Sequence, residues 1–143
     1  LHLSKNAVKF INTLQKNHIE VGLVSGGFTP VVERLAKDLE ISLFAANQLE
    51  IRDGHLTGNL VGPIISREVK KETLIRWADE LELPIDRTIA IGDGANDLAM
   101  LKRAGIGIGF CAKEIVKEEI PFQIEERDLT KVLNLIDFLR LER

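Results

Sequence analysis

The run Gly92-Asp93-Gly94-Ala95-Asn96-Asp97 follows directly on the apolar stretch Thr88-Ile89-Ala90-Ile91. It sets two carboxylates and an amide in a glycine-rich turn, at the point where a strand would hand over to a helix. Hard oxygen donors suit Mg²⁺, and backbone amides at a helix N-terminus suit an anion, so a divalent cation and a phosphate are the natural ligands of such a turn. The run is not G-x-G-x-x-G, because Asp97 occupies the place of the third glycine, and it lacks the alternating oxygen donors of an EF-hand loop. Nicotinamide and calcium chemistry are disfavoured accordingly.

A second run, Val24-Ser25-Gly26-Gly27-Phe28, also follows an apolar stretch and also opens a helix. Its Ser25 hydroxyl can donate to a phosphate oxygen, and Gly26 and Gly27 let backbone amides approach an anion. In open parallel sheets, ligands collect beyond the carboxyl ends of the strands, so both runs are expected to face one pocket. Structural readings compete with each. Ser-Gly-Gly alone is also a tight strand-to-helix turn. Capping by Asn96, with Asp97 at the positive end of the helix dipole, explains those two residues but leaves Asp93 and both glycines without a task.

Phosphoryl chemistry also needs a fixed cation, and Lys70, near the start of a long helix, is a candidate. From spacing alone, a lysine among Glu68, Lys71 and Glu72 reads as a solvated surface residue. His2, His18 and His55 have no ligand spacing and read as surface residues, and neither glycine-rich run supplies an obvious nucleophile.

Outward from these runs, strands alternate with helices. A helix is expected from Ser4, as N-cap, to residue 17, with Ala7, Val8, Ile11 and Leu14 at helical spacing. Residues 19–24 read as a buried strand, and Thr29 as the cap of a helix with Pro30 in its first turn. Residues 42–46 read as a strand, then residues 48–52 and 55–61 as a hairpin about Asp53-Gly54. Ser66 caps a helix over residues 67–82, with Val69, Leu74, Trp77, Ala78 and Leu81 as its apolar stripe and Pro84 beyond it. Strands over 88–91, 106–110 and 121–124 and helices over 97–104 and 113–119 follow. Asp128 then caps a last helix carrying Leu129, Val132, Leu133, Ile136 and Leu139 inward. The pattern predicts an α/β three-layer fold with a mostly parallel sheet and one β-hairpin.

A chain of 143 residues, 45% hydrophobic, accommodates one domain over residues 1–143. A formal charge of -3 with scattered Lys and Arg gives no footprint for nucleic acid or an anionic membrane. The lone Cys111 fits a reducing compartment and reads as a small buried hydrophobe, and with no membrane span or signal peptide evident the expected location is cytoplasmic. Residue 1 is Leu, and a helix signal opens almost at once, so the N-terminus reads as cut ahead of a first strand.

Taken in order, the segments Val24-Ser25-Gly26-Gly27-Phe28, Ala46-Asn47-Gln48-Leu49-Glu50, Asp53-Gly54-His55-Leu56-Thr57-Gly58, Lys70, Gly92 to Asp97, and Phe110-Cys111-Ala112-Lys113 closely resemble the phosphoserine phosphatases of the haloacid dehalogenase superfamily. The resemblance implies a Rossmann-like core, Mg²⁺, an aspartate nucleophile and a phospho-aspartyl intermediate hydrolysed by water. It assigns phosphate binding to Ser25, Gly26 and Asn96, neutralisation of the phosphate to Lys70, the metal to Asp93, and support of the metal site to Asp97. It also implies O-phosphoserine as substrate. The sequence departs from the family in having no Asp-x-Asp, the start of the Asp-x-Asp-x-Thr motif that holds the nucleophile and the acid, and no cap. The chain therefore reads as a partial core, inactive alone, whose first and central strand is missing between residues 19–24 and 88–91. That strand would come from the missing N-terminal portion or a second chain, or the two exposed edges would close on each other or pair between copies. Two alternatives remain at this stage: a phosphatase or phosphotransferase for another small ester, and a non-catalytic phosphate-binding module.

Overall fold

The computed structural model describes residues 6–61 and 64–141, and the side chains of the last helix through residue 137. The expectations for His2, for Ser4 as a cap and for the Leu139 side chain lie outside these residues. Helix α1 (Ala7–Lys16) leads to strand β1 (Gly22–Phe28), α2 (Thr29–Asp38), β2 (Leu43–Arg52) and β3 (His55–Val61). Then come α3 (Arg67–Glu80), β4 (Ile89–Gly92), α4 (Leu98–Arg103), β5 (Ile106–Phe110), α5 (Glu114–Glu119), β6 (Phe122–Ile124) and α6 (Thr130–Leu141).

The six strands form two separate three-stranded sheets, β1-β2-β3 and β4-β5-β6. All pairings are parallel except the β2-β3 hairpin, where Asp53 and Gly54 both take the positive φ that a two-residue turn of this hand requires. Strands β1 and β4 carry apolar side chains to both faces of the sheet, where helices pack on them. On one face, Val24 and Leu74 pack against a cluster that includes Ala90, Leu98, Met100 and Val116, under α3, α4 and α5. On the other, Ile89 and Ile91 join Phe10, Ile108, Val132 and Ile136 beneath α1 and α6, while Leu23 packs with Ala36 and Leu39 of the α2 region. Three layers are thus complete although the middle one is split.

The split is a cavity of about 510 Å³. Gly22, Leu23 and Val24 line one side of it and Ile89, Ala90 and Ile91 the other, with Phe10 and Leu14 of α1 and Leu74 and Trp77 of α3 above and below. The expectation that these two edges close on each other is therefore corrected: they do not pair. Apolar residues on both helical layers hold them apart, and α3 reaches across the gap. At its far end Trp77 lies so close over β1 that a Cβ on Gly22 would come within 2.5 Å of the indole.

Several local expectations also change. Residues 42–46 and 48–52 form one continuous strand, β2, which pairs with β1 in its first half and with β3 in its second. Thr29 is the first residue of α2 rather than its cap, and its hydroxyl donates to the Asn47 carbonyl at 3.0 Å. In α1, Ala7, Ile11 and Leu14 face inward as expected and Phe10 joins them, whereas Val8 is exposed. Cys111 is half-buried, not buried. No helix among the described residues is long and apolar enough to cross a membrane.

Candidate active site

Strand β4 ends at Gly92, and the chain makes a single 3-10 turn over Ala95–Asp97 before α4 begins. That turn folds the Asp97 side chain back against the strand. Asp97 Oδ2 accepts from the backbone amides of Asp93 at 3.0 Å and Gly94 at 3.1 Å, while Oδ1 accepts from Lys70 Nζ at 2.8 Å. Glycine is obligatory at position 92, because a Cβ there would lie 2.6 Å from the Asp97 Cβ. The capping residue is thus Asp97, not Asn96, whose exposed side chain lies against Gly94.

Lys70 comes to this carboxylate from the first turns of α3. Ser66 caps that helix as expected, accepting from the Val69 amide at 3.3 Å. Far from being a solvated lysine, Lys70 is 7% exposed and Asp97 6%. Burial raises the carboxyl pKa of Asp97, but the hydrogen bond from Lys70, those from the Gly94 and Asp93 amides, and the lysine charge outweigh it and hold the group below its ordinary value. The unfolded chain therefore binds this proton more readily than the folded one. The stabilisation is complete above the ordinary aspartate value of ~4 and is lost as pH falls through the lower folded value. Denaturant unfolding of the protein between pH 3 and 8 is expected to show no Asp97-dependent change near neutrality and a decline below about pH 4 that Asp97→Asn removes.

At the end of β1 the Ser25-Gly26-Gly27 run is not a turn but a bulged continuation of the strand. Val24 pairs with Ala45 and Phe28 with Asn47, so four steps on β1 are matched by two on β2. The bulge lifts three residues off the ladder. The Gly27 amide is used locally, donating to Ser25 Oγ at 2.9 Å, which corrects the expectation that both glycine amides are offered to an anion. Ser25 keeps its own O-H to donate, and the space beside Gly26 is open for at least 4 Å where a side chain would stand. Val24, the residue before this run, lines the same cavity as Lys70 and Asp97.

Asp93 is exposed at the end of β4, and its carbonyl accepts from the Lys113 amide at 2.9 Å, which ties it to the loop after β5. With both Asp97 oxygens engaged, Asp93 is the carboxylate of this loop that could meet a cation. Among the described residues, no group of three or more His, Cys, Asp or Glu side chains comes together as a metal site. A single carboxylate still suits Mg²⁺, which commonly takes one or two carboxylates and completes its shell with water and phosphate oxygens.

The family model of the haloacid dehalogenase-like hydrolases matches residues 2–102. The chain belongs to that family. It is 50% identical over 137 residues to a phosphoserine phosphatase of Streptococcus thermophilus, covering 96% of this chain and 64% of that protein. Among solved structures, it resembles a phospho-aspartyl intermediate analogue of phosphoserine phosphatase with a TM-score of 0.87 and 37% identity, over 94% of this chain and 64% of the other. A substrate-bound phosphoserine phosphatase complex gives a TM-score of 0.87 at 38% identity, over 92% and 63%. The chain thus spans somewhat less than two thirds of these relatives, and 35% of a longer one from Mycobacterium tuberculosis.

The family resemblance gathered Ser25, Gly26, Lys70, Asp93, Asn96 and Asp97 into one site, and the structure joins Lys70 to Asp97 directly. It gave no role to Asn47, whose side chain bonds Gly26 and Ile65. It also overlooked the packing demand on Gly92, which only the approach of Asp97 reveals.

Proposed function

We propose that this chain is the phosphate- and cation-binding part of a Mg²⁺-dependent phosphoserine phosphatase, acting in the cytoplasm at the last step of serine biosynthesis. O-phosphoserine would be hydrolysed through a phospho-aspartyl intermediate, with the nucleophilic aspartate on a segment outside these 143 residues. The observation that carries the reading is the buried Lys70–Asp97 pair, 2.8 Å long, which faces the cavity between β1 and β4. A charge so costly to bury is retained where it can be presented to a ligand.

In this reading Lys70 neutralises the transferring phosphoryl group, fixed in direction by Asp97. The Ser25 O-H and the Gly26 amide hold phosphate oxygens, and Asn96 adds an amide donor. Asp93 holds Mg²⁺, which when bound supplies positive charge to the phosphate oxygens. One extended segment lying between β1 and β4 would ladder to both edges, since neighbouring strands in a sheet stand roughly 4.8 Å apart. A segment preceding Leu1 in the whole protein would supply that strand and bring the nucleophile beside Lys70.

The test is phosphate release from O-phosphoserine with Mg²⁺, by the 143-residue chain and by the complete protein. The complete protein is expected to turn over and the chain alone to give only background. Robust turnover by the chain alone would refute the external nucleophile. A complete protein that prefers another small phosphate ester in a substrate panel would correct the substrate.

A further inference from the structure

Asn47 lies where β2 exchanges one partner for another: it is the last residue laddered to β1, and Gln48 is the first laddered to β3. It is polar and 8% exposed, and beyond the strand ladder it makes hydrogen bonds to three different segments. Its Nδ2 donates to the Gly26 carbonyl at 2.9 Å. Its Oδ1 accepts from the Ile65 amide at 2.7 Å, and its carbonyl accepts from Thr29 Oγ1 at 3.0 Å. The amide orientation is fixed by chemistry, because a backbone N-H can only donate and a carbonyl can only accept.

The β1 bulge removes Gly26 from the ladder to β2, and the Asn47 side chain replaces the lost partner. On its other side, Ile65 immediately precedes Ser66, the cap of α3, whose carbonyl accepts from the Lys70 amide at 2.9 Å. A short bonded path thus runs from the Ser25-Gly26 loop through one side chain to the start of the helix that carries Lys70. We infer that Asn47 is a positioning residue: it sets the phosphate loop at a fixed distance from the Lys70 ammonium without touching the substrate. The role requires one donor and one acceptor on adjacent atoms of a short side chain, which asparagine supplies. Leucine supplies neither, and an ionised aspartate turns an acceptor towards the Gly26 carbonyl.

This inference rests on the phosphatase reading, and the experiment separates the two. In the complete protein, Asn47→Asp and Asn47→Leu are compared with wild type for O-phosphoserine kinetics and for calorimetric binding of inorganic phosphate with Mg²⁺. Both variants are expected to bind phosphate at least about 10-fold more weakly at pH 8, with kcat/KM lowered about 10- to 100-fold, an estimate for a misplaced binding group. A carboxyl introduced beside a carbonyl in a buried site titrates high, and once protonated it can donate to Gly26. Activity of Asn47→Asp relative to wild type at the same pH is therefore expected to recover as pH falls from 8 to 5.5, and that of Asn47→Leu is not. A lowered melting temperature with unchanged phosphate affinity, or the same pH profile for both variants, overturns the inference. Wild type that binds phosphate without hydrolysing O-phosphoserine overturns the phosphatase reading, and the phosphate affinities then decide the inference alone. Wild type that binds no phosphate overturns both.

Discussion

Lys70→Met in the complete protein is expected to lower kcat for O-phosphoserine by about 10²–10³-fold or more, the cost of removing one preorganised charge from a water-poor site. Methionine keeps most of the side-chain volume, so the helix packs much as before, but Asp97 is left with an uncompensated buried charge. Breaking a buried pair from one side costs about 3–5 kcal/mol. Unfolding in urea therefore accompanies the kinetics, and activity is compared at equal folded fractions. Lys70→Arg is not expected to rescue. The guanidinium is a broad planar fork, whereas the space between α3 and the β4 loop accepts a single ammonium 2.8 Å from Asp97 Oδ1. Wild-type kcat in Lys70→Met would remove Lys70 from the reaction, and wild-type kcat in Lys70→Arg would show that any cation at this place suffices.

Asp97→Asn is the second large effect expected, and its logic differs because the substitution is nearly isosteric. Both Asp97 oxygens accept, one from Lys70 and the other from two backbone amides. Asparagine has only one acceptor end. Turned one way its NH₂ meets the Lys70 ammonium; turned the other way it meets the amides of Asp93 and Gly94. Each orientation brings donor against donor in a buried place. The loop that presents Asp93 then loses its anchor, so Mg²⁺ dependence is expected to shift to higher concentration while kcat falls about 10²-fold or more, as for loss of a transition-state donor. Titrating Mg²⁺ against initial rate for wild type and Asp97→Asn checks this. An unchanged half-saturating concentration would separate Asp97 from the cation site.

Much of the layered fold could be read from the chain because its signals were local. Ser66 caps α3, Asp53-Gly54 turns the hairpin, and β5 occupies the predicted residues 106–110. What escaped was non-local. Asn47 broke the apolar pattern of β2, so one strand read as two, although its amide is buried by bonding to segments 18 and 21 residues away. The Ser25 bulge is a property of register between β1 and β2, which neither strand encodes by itself. Lys70 stands among Glu68, Lys71 and Glu72, a surface pattern, and only its partner 27 residues on reveals its burial. The two halves of the sheet were separable in sequence because residues 19–24 and 88–91 are apolar enough to be covered on both faces.

The composition of those two facing strands has a consequence for how the chain behaves. β1 carries Gly22-Leu23-Val24-Ser25-Gly26-Gly27-Phe28 and β4 carries Ile89-Ala90-Ile91-Gly92, with no lysine, glutamate or proline in either. Such guards are what keep the rim of a β-sheet from recruiting strangers. Without such guards both rims are left open to pairing, and a strand laid in the slot between them would engage the two at once.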